Sequence, residues 1–514
     1  MKRLLYLIIL SIFITCIGIS AKAELRLPSL FSHNMILQRD IEVPIWGWAN
    51  PGKKVVLIFN SQKKETISDS NGKWKIILDK MSAGENLEMV ISSEKDTIVL
   101  KNISIGEVWI CSGQSNMEFQ LGKSLNGENE VKNASNPLIK LFTVTHKSSN
   151  EQLEDCEGVW KICTPENVKN FSAVAYYFAK NIVKEINIPI GIIQATWGGS
   201  PIEAWISKKT LESDNAFNPV FERWEKYVKE FPIILNEFNQ NRDLLLSKWK
   251  EDSAKSVSLG FAPPRKPSAP IEPLGRNTPS GLYNGMIFPL APYGIRGVIW
   301  YQGESNVERY DEYAKLFPAL IKDWRKTWNI GDFPFYYVQL PNFSRKPEPS
   351  GSGWPELREV QRKTLSIVNT GMAVTIDIGD SMDLHPKNKS DVGYRLAIIA
   401  LANVYDKNNI ICSGPLFKWF ELYENKVVLY FDFSVGLTTK ESDKLKGFQI
   451  SSDNKIFFDA NAVIENDHVL VWSEKIDKPS AVRYAWGDNP KGNLSNQSGL
   501  PASPFLTENL QNIP

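Results

Sequence analysis

The sequence predicts an α/β protein built on a parallel sheet with helices on both faces, flanked by β-rich segments. Three observations carry that expectation. Short apolar runs alternate with longer amphipathic segments through the middle of the chain, turn-punctuated strands fill the stretch before about residue 104, and short strands return from about residue 409. Alternating strand and helix patterns mean crossover connections and a sheet buried on both sides. Closely spaced short strands mean antiparallel layers.

Taken in order, residues 1–23 combine Lys2 and Arg3, the apolar run Leu4 to Ile19, and Ala21-Lys22-Ala23. A basic start, a hydrophobic stretch and an A-x-A site describe a secretory signal peptide. The apolar run is short for a membrane span, and Ile14-Thr15 before Cys16 is a poor lipoprotein signal. A secreted or periplasmic address is therefore expected, with no stable membrane span after cleavage.

Residues 24–104 hold strand candidates at 43–48, 54–59, 74–78, 87–91 and 97–100, divided by Pro51-Gly52 and Asn71-Gly72. This spacing predicts a small β-sandwich domain. Residues 105–405 form the α/β domain, with strands at 108–111, 138–144, 190–195, 297–301, 335–340 and 372–378. Helices are expected at 174–185, 310–327, 356–367 and 390–404. Tyr313, Leu316, Phe317, Leu320, Ile321 and Trp324 recur at helical spacing along one stripe. The interval 206–280 breaks this rhythm with a charged helical part followed by Pro263, Pro264, Pro267, Pro270, Pro273 and Pro279. It reads as an insertion that either borders the cleft or stays in solvent. Residues 406–514 form a C-terminal β-rich domain.

The 514 residues exceed one ordinary core, and roughly two to four domains are expected. A formal charge of +1 points to neither nucleic acid nor an anionic membrane surface. Cys156 and Cys163 are near enough in sequence to pair in an oxidising compartment; Cys111, inside an apolar run, reads as a buried thiol. No Cys or His cluster has zinc spacing, so neither metal nor cofactor is expected. His33 reads as structural.

The run Val108 to Cys111 ends in Ser112-Gly113-Gln114-Ser115-Asn116-Met117. A hydroxyl at the carboxyl end of a buried strand sits where α/β proteins gather ligands, and a serine there needs a base to become a nucleophile. His385 follows a strand end at Ile378-Gly379-Asp380 and precedes a helix, which puts it on the same sheet edge; His146 is the runner-up. Asp383, two residues before His385, is the acid placed to orient the imidazole, with Asp380 and Asp377 behind it.

Four ordered blocks resemble those of the SGNH hydrolase superfamily, and within it the sialate O-acetylesterase family. They are Gly113-Gln114-Ser115-Asn116-Met117, Trp197-Gly198-Gly199-Ser200-Pro201-Ile202-Glu203-Ala204-Trp205, Trp300-Tyr301-Gln302-Gly303-Glu304-Ser305-Asn306 and Asp383-Leu384-His385-Pro386. The resemblance runs from about Leu25 to the carboxyl end. It implies a flavodoxin-like three-layer fold and catalytic Ser115, His385 and Asp383. It also implies an oxyanion hole from the N–H of Ser115, the N–H of Gly199 and the amide of Asn306, with Gln114, Gln302 and Glu304 in support. Many superfamily members carry the acid three residues before the histidine, where this chain has Met382. Between the paired glycines, Gly198 stays open as the alternative donor.

The implied activity is hydrolysis of O-acetylated sialic acid through a serine acetyl-enzyme. Acetylated xylan or another acetylated glycan shares every motif, and a non-catalytic glycan-binding protein is the reading of a different class. Arg276, Arg296 and Arg358 are arginines able to clamp a sugar carboxylate, and the sequence does not choose among them.

Overall fold

The structure is a computed structural model that describes residues 25–344 and 352–507. The expected leader at 1–23 lies outside them. Parallel strands carry the site: β1 (Asp96–Gly113), β2 (Asn136–Thr143), β3 (Ile190–Thr196), β4 (Gly297–Tyr301), β5 (Phe335–Val338) and β6 (Thr370–Ala373). Their order is β6–β5–β4–β1–β3–β2, and Trp160–Cys163 joins β2 antiparallel at the edge. β3 and β4 are buried along their whole length, as strands covered on both faces must be.

The helices used below are α1 (Ser115–Glu118), α2 (Ala173–Ile186), α3 (Asn218–Ser258), α4 (Tyr310–Trp328), α5 (Trp354–Lys363) and α6 (Ser390–Val404). Successive β1 residues enter opposite cores, because side chains alternate across a strand. Val108 and Ile110 join the core that contains Leu316, Leu320 and Trp324 of α4. Trp109 and Cys111 join the one built with Val174 and Phe178 of α2 and Leu396 and Ile399 of α6.

β1 reaches further back than its apolar stretch predicts. Its first half pairs antiparallel with Gly84–Ser93 and its second half runs parallel to β3 and β4. One 18-residue strand therefore passes through position 104 unbroken. Asn102 takes a φ of 56° at a bulge where the pairing shifts between Leu87 and Met89. Glu107 anchors this strand away from the site: it is fully buried and receives Arg39, Gln38 and Arg296.

Before β1, Val43–Trp48 and Lys73–Leu78 pair antiparallel, as do Lys54–Phe59 with Gln62–Ile67 and Gly84–Ser93. After α6, among the described residues, come two four-stranded antiparallel sheets and a two-stranded pair of Thr438–Thr439 with Leu494–Ser495. One runs Leu416–Tyr423, Lys426–Asp432, His468–Trp472, Asn461–Glu465; the other runs Phe458–Asp459, Phe448–Ser451, Ala481–Tyr484, Phe505–Leu506. Phe417, Phe431, Tyr484 and Phe505 stack between them.

The irregular interval holds the 41-residue α3, followed by a proline-rich return. The return packs back along the helix: Tyr227 donates to Ile271 O and Trp249 to Pro264 O. The cysteine pairing considered from sequence does not form. Cys111, Cys156, Cys163 and Cys412 are free thiols. Cys156 belongs to one core and Cys163 to the other, so the sheet separates them. Burial raises the Cys156 pKa to about 12 and the Cys163 pKa to about 11. Cys111 is buried in the strand as expected.

Candidate active site

Each block leaves the sheet at a carboxyl strand end. Ser115 follows β1, Gly198-Gly199 follow β3, and Gln302 to Asn306 follow β4; the His385 loop comes after β6 and before α6. β1 sits where the chain order reverses, with β3 on one side and β4 on the other. Loops on either side of such a point diverge and leave a crevice. Gly113 makes the exit possible: its φ is +134°, and a Cβ there would lie 2.2 Å from Tyr301 O.

Ser115 Oγ lies 2.8 Å from His385 Nε2. Both side chains are half-buried, and the distance is that of the hydrogen bond a serine nucleophile needs with its base. Burial, then the nearby Lys389 cation, hold the His385 pKa below its ordinary 6.5, against the opposing pull of Asp383. The imidazole is thus neutral and able to accept a proton at neutral pH. His146 is elsewhere: it pairs with Glu118 at 2.9 Å and stacks on Trp197.

Asp383 Oδ1 lies 3.9 Å from His385 Nδ1, beyond hydrogen-bond length. The same oxygen accepts the backbone N–H of His385 at 2.8 Å and so shapes the loop. Asp377 is taken by Arg395 and Lys440, and Asp380 accepts the N–H of Met382. Asp383 is therefore the carboxylate nearest the imidazole among the three considered.

Beside Ser115 the loop after β3 comes very near. A Cβ on Gly198 would sit 3.4 Å from Ser115 Cβ. The Gly198 N–H is engaged by Glu118 Oε2. Gly199, at φ +74°, and Ser115 have backbone N–H groups with no hydrogen-bond partner among the described residues. Asn306 is locked in orientation: its Oδ1 accepts from Ile202 N and Gln302 Nε2, and its Nδ2 donates to Glu203 Oε2 at 2.9 Å. One N–H of that amide is left for another acceptor. Gln114 Oε1 receives the N–H groups of Gly303 and Ser305, bracing the β4 loop against α1.

Sequence reasoning missed the residues that join these loops. Asn116 donates to Glu304 Oε1 and to Leu384 O, and accepts from Lys389 Nζ at 2.6 Å. It therefore ties the nucleophile's helix to the β4 loop and the histidine loop at once. Lys389 is fully buried over the rings of Phe119 and Tyr301, and burial lowers its pKa to about 7. Burial raises the Glu304 pKa, and its Oε2 has no hydrogen-bond partner among the described residues. Asn116 and Glu203 stood inside the quoted blocks, and Lys389 four residues after His385. Only the meeting of loops reveals their partners.

A cleft of about 580 Å³ opens from Gly199, Glu304 and Ser305 towards α3. Its far wall is Arg223, Trp224 and Tyr227 of α3, with Arg265 and Asn277 from the proline-rich return. Arg223 binds Glu312 bidentately and reaches Glu203 at 3.8 Å, so the insertion is fastened to the site loops. Among the described residues no group of His, Cys, Asp or Glu side chains is disposed to hold a metal ion.

A sheet of α/β type covered on both faces, with a serine and an imidazole 2.8 Å apart at its carboxyl edge, is suited to hydrolysis through a serine nucleophile. The family model described as carbohydrate esterase, sialic acid-specific acetylesterase matches residues 105–236 and 274–402. Sialate O-acetylesterases of Mus musculus and Rattus norvegicus are 30% and 31% identical, each alignment covering 97% of both chains. A crystal structure of a carbohydrate acetylesterase from Xanthomonas citri is 33% identical, with a TM-score of 0.79 over 94% of this chain and 99% of that one. The chain belongs to the sialic acid-specific acetylesterase family of carbohydrate esterases, and it is an ester hydrolase.

Proposed function

We propose that the protein removes O-acetyl groups from sialic acid, with Ser115 as nucleophile and His385 as base. The observation that carries this is the 2.8 Å contact between Ser115 Oγ and His385 Nε2 beside two unengaged backbone N–H groups. Ser115 Oγ attacks the acetyl carbonyl as His385 takes its proton. The carbonyl oxygen, now negative, is held by the N–H groups of Ser115 and Gly199 and the amide of Asn306. Collapse breaks the bond to the sugar oxygen, which receives the proton from His385. A water activated by His385 then cleaves the acetyl-enzyme, releasing acetate and restoring Ser115. Asp383 favours the imidazolium through its charge. Gln114, Gln302 and Glu304 hold the loops.

The strand order and the four blocks support an SGNH-type, flavodoxin-like core at 105–405 carrying the insertion 206–280. The flanking segments 24–104 and 406–514 are its β-rich companions, and the leader at 1–23 directs the protein to a secreted or periplasmic location. No helix among the described residues is long and apolar enough to cross a membrane. The test is acetate release from O-acetylated sialic acid, acetylated xylan and 4-nitrophenyl acetate. Preferred turnover of the sialate supports the reading. Preference for xylan moves the substrate to a neutral glycan, and no acetate from any of them would overturn the substrate assignment.

A further inference from the structure

Three arginines were open from sequence as carboxylate clamps, and their surroundings now separate them. Arg358 is fully buried and donates to the carbonyls of Leu340, Pro341, Gly487 and Asp488. Arg296 is held by Glu107. Arg276 differs: no hydrogen bond or ion pair engages it among the described residues, and its Nε is buried without a partner. An unpaired buried donor is expensive to keep and marks a place for an absent acceptor.

Its position gives that acceptor a context. A Cβ on Gly199 would sit 3.3 Å from Arg276 Nε and 3.6 Å from Cζ, so the guanidinium lies against the glycine proposed above for the oxyanion hole. The left-handed φ of +74° at Gly199 favours glycine there, and a side chain would press on the guanidinium. Arg265, which lines the cleft, has no ion pair among the described residues either. Burial and then the charge of Arg265 pull the Arg276 pKa below its ordinary value, opposed by Glu118. Glu118 itself is bound by Gly198 N and His146. The carboxylates that line the cleft are Glu203, Glu230, Glu304 and Glu308; Glu203 is held by Arg309 and Asn306.

We infer that Arg276, helped by Arg265, is the subsite for the carboxylate of an acidic sugar whose acetyl ester lies on Ser115. This rests on the esterase reading of Ser115 and specifies how that site selects an acidic over a neutral glycan. The planar fork of an arginine matches a carboxylate bidentately. The insertion thus serves selection: its proline-rich return carries both arginines to the mouth of the site.

The test is calorimetric binding of N-acetylneuraminate and of its methyl ester, which differ at the carboxylate, to the full-length protein. It needs no turnover, so it stands apart from the chemistry on Ser115. The free acid should bind about tenfold to a hundredfold more tightly than the ester, the range for a hydrogen-bonded charged pair. Arg276→Met should close that gap, Arg276→Lys should restore part of it, and Arg265→Met, at an exposed position, should narrow it. Equal binding of acid and ester, or a gap that survives Arg276→Met in a protein of unchanged melting temperature, would overturn the assignment. A gap shared by glucuronate and its methyl ester, with no acetate released from O-acetylated sialic acid, would sink the sialate reading while the carboxylate subsite stands.

Discussion

Asn116 is the residue on which the geometry of nucleophile and base converges, since one amide contacts Lys389, Glu304 and the backbone beside His385. The charges around it set the working pH. The acid limb of kcat/KM should fall below 6.5, the ordinary imidazole value, because burial and Lys389 both disfavour imidazolium. Lys389→Met removes a positive neighbour, makes imidazolium easier to form, and should move that limb to higher pH. Asp383→Asn removes a negative one and should move it lower. A pH–rate profile of each variant checks the two signs; shifts in the same direction would contradict this electrostatic account. That Ser115, His385 and Gly199 lie at one sheet edge was legible, because each sits in a short polar or glycine-rich stretch after a strand and in a block that resembles the family's. Lys389 was not, for a lysine at the N-cap of a helix ordinarily faces water, and here it is buried against Asn116, Phe119 and Tyr301. Asp383 was legible as the nearest acid, but its 3.9 Å separation from Nδ1 depends on the fold of the loop.

Helices and strands were readable where periodicity was strong. The 174–185 and 390–404 stretches became α2 and α6 nearly residue for residue, because each has a broad apolar face. The length of β1 was hidden, since its first half is a half-exposed hairpin strand and only its second half is an apolar run. How closely α2 and α6 approach was hidden as well. It rests on Gly393, where a Cβ would lie 2.6 Å from Tyr177 Cβ and 2.8 Å from Val174 O. Gly393→Ala should force the helices apart and cost about 1–3 kcal/mol, the usual range for overpacking a close contact. Urea denaturation reads this as a lower midpoint; an unchanged midpoint would mean that the crossing yields freely.

Across the whole molecule, the segments after α6 are fastened to the α/β core from within. Arg358 of α5 gives its guanidinium to Leu340 and Pro341 beyond β5 and to Gly487 and Asp488 of the C-terminal region. Arg358→Met would leave those buried carbonyls short of donors. It should lose at least about 3 kcal/mol of stability, seen as a lower Tm; a loss under about 1 kcal/mol would show that the two parts hold together without it. The N-terminal strands are joined as firmly, because β1 belongs to both layers. The central claim remains that an alcohol on the loop after β1 is acylated during turnover. Its most direct test is mass spectrometry of enzyme quenched in acid during hydrolysis of an acetyl ester. The account predicts an acetyl group on the peptide that contains Ser115, and in Ser115→Ala no adduct and turnover reduced by at least about a thousandfold. Turnover near the wild-type rate in a folded Ser115→Ala protein would contradict it.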